Sequence, residues 1–88
     1  MRILVVEDEV EIADGLVGVL EAEGFCVDAV YDGEDGSDYI LSNAYDVILL
    51  DVMLPGINGF DVLRKARAKN INTPVIMLTA KSQIEDRV

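Results

Sequence analysis

Three short runs of strand-favouring residues, at 3–6, 47–50 and 75–78, contain no polar residue at all. A half-exposed strand alternates apolar and polar side chains, so unbroken runs like these need cover on both faces, and they are too short to be helices. Such strands belong inside a parallel sheet flanked by helices. The central run ends at Asp51, and Pro55 and Gly56 follow a few residues later. Proline fixes φ and glycine tolerates positive φ, so the pair predicts a tight turn on a stiff loop. A carboxylate at the carboxyl end of a buried parallel strand points into the crevice where open α/β sheets bind ligands.

The intervals between the strands predict helices. Ala13, Leu16, Val17 and Leu20 recur at helical spacing with Gly24 beyond them, giving a helix near 9–23, and Asp8 with Glu11 has capping-box spacing at its start. Residues 26–30 form a further strand, and Asp28 within it marks an edge. Asp32-Gly33 is a turn, after which a helix spans about 34–43 with Tyr39, Ile40 and Leu41 as its buried residues. Phe60, Leu63 and Ala66 mark a third helix, whose solvated face carries Arg64, Lys65, Arg67 and Lys69. Alternating strands and helices of these lengths imply βαβ units with right-handed crossovers. After 75–78, Ser82 and Glu85 have capping-box spacing, so another helix begins and the chain stops within it. The expectation is one domain, truncated after its fourth strand.

Composition narrows the chemistry. Eighty-eight residues with 51% hydrophobic content suit a single packed domain, and seven basic against 17 acidic residues give a net charge of −10. That charge disfavours nucleic acid or an anionic membrane as direct partners of this segment. Cys26 is the only cysteine, which excludes an internal disulfide or zinc cluster and suits a reducing, cytoplasmic setting. There is no histidine, which removes the commonest general base and the Ser-His and Cys-His nucleophile pairs. No signal peptide or long apolar span is present, because the run at 3–6 meets Glu7, Asp8 and Glu9 at once.

In a parallel sheet every carboxyl end lies on one side, so Glu7, Asp8, Asp51 and Thr79 converge although distant in sequence. Crowded carboxylates raise one another's pKa, and a hard divalent cation is the usual relief. Mg²⁺ takes oxygen ligands in octahedral geometry and keeps several waters, so two carboxylates and a backbone carbonyl suffice. Such a site suits phosphoryl chemistry, with an aspartate as nucleophile forming an acyl phosphate.

These stretches, ILVVEDE, LLDVMLPGINGFDVLRKAR and TPVIMLTAK, resemble the receiver domain of two-component response regulators along the whole chain. The resemblance implies a flavodoxin-like, three-layer α/β fold with strand order 2-1-3-4-5, of which the fifth strand and last two helices are missing here. It implies that Asp51 is phosphorylated by a sensor histidine kinase. Glu7 and Asp8 match the family's acidic metal pair for Mg²⁺, and Met53 the residue whose backbone carbonyl completes the site. Thr79 matches the switch hydroxyl and Ala80 the small residue beside it. The loop after Asp51 is most similar to transcription factors with a winged-helix DNA-binding domain, so a parent protein would control transcription through a separate effector domain.

The chain also departs from the family. The lysine at the end of the fifth strand and the aromatic switch residue of that strand are absent, and Lys81 lies one residue past the small position. The family order implies that the first helix covers one sheet face alone while the second and third share the other. Apolar surface and an open edge strand then remain, and self-association by dimerisation or strand exchange is expected. The chain is read as a phospho-acceptor rather than a turnover enzyme. The alternatives are an unphosphorylated fragment acting through swapping or oligomerisation, a Mg²⁺-dependent aspartyl phosphatase, and a flavin carrier. Such phosphatases carry an aspartate where this chain has Met53, and Glu7-Asp8-Glu9 would repel a flavin phosphate.

Overall fold

The computed structural model describes residues 1–78, and its main sheet is built from the predicted apolar runs. In chain order the elements are β1 (Arg2–Val6), α1 (Val10–Ala22), β2 (Cys26–Val30), α2 (Gly33–Leu41), β3 (Val47–Asp51), β4 (Met53–Leu54), β5 (Ile57–Asn58), α3 (Gly59–Ala68) and β6 (Val75–Leu78). Four strands form a parallel sheet in the order β2-β1-β3-β6. This is the flavodoxin-like arrangement, with β6 in the place of the fourth strand. The register sets Val6 beside Leu50 and Asp51 beside Leu78, which brings the carboxyl ends of the central strands level.

Strand parity divides the core. Leu4, Val6, Ile48 and Leu50 point to one face and pack with Ile40 of α2 and with Val62 and Ala66 of α3, all of them buried. Ile3 and Val5, of opposite parity, are buried too, but outside that cluster, on the face where α1 packs over β1 and β2 with its buried Ala13. The expected split, α1 on one face and α2 with α3 on the other, is what the chain adopts. β2 lies at the sheet edge as its Asp28 predicted.

Helix ends and faces differ from expectation in instructive ways. The C-terminus of α1 closes as predicted: Gly24 has φ 94°, its amide bonds the carbonyl of Glu21, and the Phe25 amide reaches Leu20. The Asp8/Glu11 capping box does not form, because the N-cap is Glu9 and no side chain caps the helix. On α2 the buried residues are Gly33, Gly36, Ser37 and Ile40, whereas Tyr39 is exposed and Leu41 half-buried. Gly36 explains this choice of face, since a Cβ there would stand 2.8 Å from Val6 Cγ1; the helix approaches β1 through its glycines. On α3 the docked positions are Gly59, Val62 and Ala66, and Phe60 is exposed rather than buried. The loop after Asp51 holds a small antiparallel hairpin, β4 with β5, that the sequence did not announce. Its turn has Pro55 followed by Gly56 at φ 79°, as a type II turn requires.

Thr79, Ala80 and Lys81, and the helix expected to begin at Ser82, lie outside the described residues.

Candidate functional site

Three of the predicted acids meet at the carboxyl end of the sheet. One carboxylate oxygen from each of Glu7, Asp8 and Asp51 lies within 4.8 Å of the others. Glu7 and Asp8 follow β1 directly and Asp51 closes β3, so the parallel pairing of adjacent strands assembles the cluster. Glu7 and Asp51 are buried, with 4% and 1% of their surface exposed, and Asp8 is half-buried.

Local hydrogen bonds aim two of the carboxylates. The Glu9 amide donates to Glu7 Oε2 at 2.9 Å, and this contact replaces the predicted capping box. The Met53 amide donates to Asp51 Oδ1 at 3.2 Å, which ties the carboxylate to β4. Asp8 Oδ1 is buried without a hydrogen-bond partner among the described residues. Burial pushes the Glu7 carboxyl above its usual range; the Glu9 amide bond opposes this, while the carboxylates of Asp51 and Asp8 push in the same direction as burial. Neither Glu7 nor Asp8 forms an ion pair with a basic side chain among the described residues.

This donor set fits a hard cation. Several carboxylate oxygens converge, all are hard ligands, and a buried acceptor on Asp8 lacks a donor, which is costly unless something positive satisfies it. Sequence reasoning named Met53 for its backbone carbonyl but missed its amide, which donates to Asp51 Oδ1, and it missed one residue altogether. Gly59, the first residue of α3, stands against the main chain of Asp51, and its amide donates to the Val52 carbonyl at 2.7 Å. Its place in the P-G-x-x-G spacing was the only available signal. Thr79 and Ala80, predicted for the same site, are outside the described residues.

Known proteins resemble this chain in sequence and in fold. Residues 3–88 match the response regulator receiver domain family. The chain is 50% identical over its full length to the transcriptional regulatory protein DltR of Streptococcus agalactiae, and 49% identical over 87 residues to the response regulator ArlR of Staphylococcus aureus. It spans 39% of the length of each of these relatives. Among solved structures, it superposes with a TM-score of 0.84 on response regulator TrrA of Thermotoga maritima in complex with Mg²⁺-BeF, at 40% identity, over 92% of this chain and 70% of that one. The BeF3-activated N-terminal receiver domain of Klebsiella pneumoniae RstA gives a TM-score of 0.86 at 29% identity, over 98% of this chain and 71% of that one. The fold, the parallel order and the family match over residues 3–88 together place this chain in the response regulator receiver domain family.

Proposed function

We propose that Asp51 is the phospho-acceptor of this receiver domain, and that Glu7, Asp8, Asp51 and the backbone carbonyl of Met53 hold the Mg²⁺ on which the transfer depends. The observation that carries this reading is the meeting of three acids within 4.8 Å at the carboxyl end of a parallel sheet, with no basic partner for Glu7 or Asp8 among the described residues. The complex of the Thermotoga relative with Mg²⁺-BeF supports it.

The chemistry runs through Asp51. A carboxylate oxygen attacks phosphorus, a P–O bond forms, and the P–N bond to a sensor kinase histidine breaks. The imidazole nitrogen keeps the bonding pair, and Asp51 becomes an acyl phosphate. A bound Mg²⁺ would neutralise charge developing on the phosphoryl oxygens. The Met53 amide keeps the Asp51 carboxylate aimed, and Glu7 and Asp8 bring the negative charge that makes a cation welcome. Thr79 would bind the phosphoryl group and Ala80 would leave room beside it. Transfer of this kind is stoichiometric, so the domain is a signal carrier and not a turnover enzyme.

One relative, DltR, is named as a transcriptional regulatory protein, and this chain spans 39% of its length. We infer that the domain acts within a cytoplasmic protein in which a separate DNA-binding effector responds to Asp51. No helix among the described residues is long and apolar enough to cross a membrane.

A second reading is favoured by β6. Ile76 is 55% exposed and, among the described residues, β6 pairs only with β3. We infer that the 88-residue chain self-associates through this side, and light scattering showing a compact monomer would overturn that. The main reading is tested by intact mass after incubation with acetyl phosphate and Mg²⁺. A gain of one phosphoryl group that requires Mg²⁺ and vanishes in Asp51→Asn is expected; equal labelling of that variant would refute it.

A further inference from the structure

The loop after Asp51 contains two glycines that serve different physical ends. Gly56 has φ 79° and open space where a Cβ would be, so its lack of a side chain answers the turn conformation alone. Gly59 shows the reverse. A Cβ there would overlap the carbonyl oxygen of Asp51 and come within 3.0 Å of both the Asp51 carbonyl carbon and Val52 Cα. Those are main-chain atoms at the end of β3 and of the residue that follows it, and they cannot rotate aside as the end of a side chain can.

We propose that Gly59 is a positioning residue for Asp51: without a Cβ, the first turn of α3 seats directly on the main chain of the acceptor, and this seat sets where the Asp51 carboxylate stands relative to Glu7 and Asp8. The inference rests on Asp51 as acceptor and deepens that reading. It stands on a closed circuit of contacts. Gly59 donates to the Val52 carbonyl at 2.7 Å, and Val52 in turn donates to Leu78 at 2.9 Å, so the acceptor's neighbour is held between α3 and β6. Asn58 caps α3 by accepting from the Phe60 amide at 2.7 Å and pairs with Met53 across the hairpin. The Met53 amide returns to Asp51 Oδ1. A displacement at Gly59 therefore reaches Asp51 by two routes, through its own carbonyl and through the amide that aims its carboxylate. The acids meet within 4.8 Å, and misplacing a reacting group by about 1 Å can cost about a hundredfold in rate.

The test compares Gly59→Ala, Gly56→Ala and Asn58→Ala in the 88-residue chain, at a temperature where circular dichroism shows each folded. The readouts are the Mg²⁺ dissociation constant by calorimetry and the rate of labelling by acetyl phosphate. Gly59→Ala is expected to weaken Mg²⁺ binding and slow labelling by about tenfold or more, with the maximal rate falling rather than the acetyl phosphate requirement rising. Its Met53 amide resonance should move as well. Asn58→Ala, which loosens the same turn without a clash, should shift both readouts in the same direction by less, and it decides the matter if Gly59→Ala does not fold. Gly56→Ala should lose stability while keeping both values. Wild-type Mg²⁺ affinity and rate in folded Gly59→Ala or Asn58→Ala, or an equal loss in Gly56→Ala, would overturn the proposal. Failure of the acceptor assignment would register separately, as undiminished labelling of Asp51→Asn.

Discussion

The two ends of this sheet carry acids to opposite purposes. At the amino end, Asp28 accepts from the Tyr45 hydroxyl at 2.6 Å and from Arg2 Nη2 at 3.2 Å, and Asp46 accepts from the Arg2 amide at 2.8 Å. The Arg2 guanidinium also lies 4.9 Å from the centre of the Tyr45 ring. Each negative charge there has a donor. At the carboxyl end, Glu7, Asp8 and Asp51 crowd within 4.8 Å, and Glu7 and Asp8 have no basic partner among the described residues. Structural acids are satisfied within the fold. At the carboxyl end Glu7 and Asp8 are left wanting a positive charge among the described residues, and that difference sets this cluster apart from the rest of an acidic surface.

The largest expected effects fall on the carboxyl end. Asp8→Asn should weaken Mg²⁺ binding by about two orders of magnitude, since even outer-shell partners of a metal are worth tenfold to a hundredfold; titration calorimetry measures it. Saturating Mg²⁺ should raise thermal stability by about 2.7 kcal/mol at a hundredfold excess over its dissociation constant. Thermal melts of Asp28→Asn should show the same gain, because that acid serves the other end.

Glu7 gives a pH signature. Its folded pKa is raised, so its contribution to stability is fully present below the unfolded value of about 4.3 and is lost as pH rises through the folded value. Without Mg²⁺, Glu7→Gln should therefore overtake the native chain in stability as pH climbs through that window. Urea melts at several pH values check this, and Mg²⁺ should reverse the order by favouring the native carboxylate.

Effects at the amino end are smaller. Tyr45→Phe removes a donor to a half-exposed acid and should cost about 1 kcal/mol in denaturant melts. Burial and the Asp28 carboxylate push the Tyr45 phenol up to about 12. Its contribution is thus intact below about 10 and declines as pH rises through 12, and ultraviolet titration of Tyr45→Phe should lack that late step. Arg2→Ala, breaking a pair whose side chains are about half exposed, should cost at most about 0.5 kcal/mol and less still in high salt.

Strands and acids were legible because both write themselves into sequence order. A run with no polar residue must be buried on both faces, and the residue that ends it must stand at the carboxyl edge. Helix faces were less legible. Tyr39 and Phe60 read as core residues but are exposed, because Gly36 and Gly59 let α2 and α3 dock closely through small residues. Apolar periodicity does not record where an absent Cβ allows contact. The β4–β5 hairpin and the Met53 amide bond to Asp51 were hidden for a related reason: both are main-chain geometry, and Pro55-Gly56 announced only the turn.

The most direct test asks which carboxylate carries the phosphoryl group. After labelling with acetyl phosphate and Mg²⁺, borohydride reduction converts an acyl-phosphorylated aspartate to homoserine, and peptide mass mapping locates it. Homoserine at position 51 alone, with Asp8 and Asp28 unaltered, is the predicted result. Homoserine at position 8 or 28, or an unaltered Asp51 in a chain that has gained a phosphoryl group, would contradict the account.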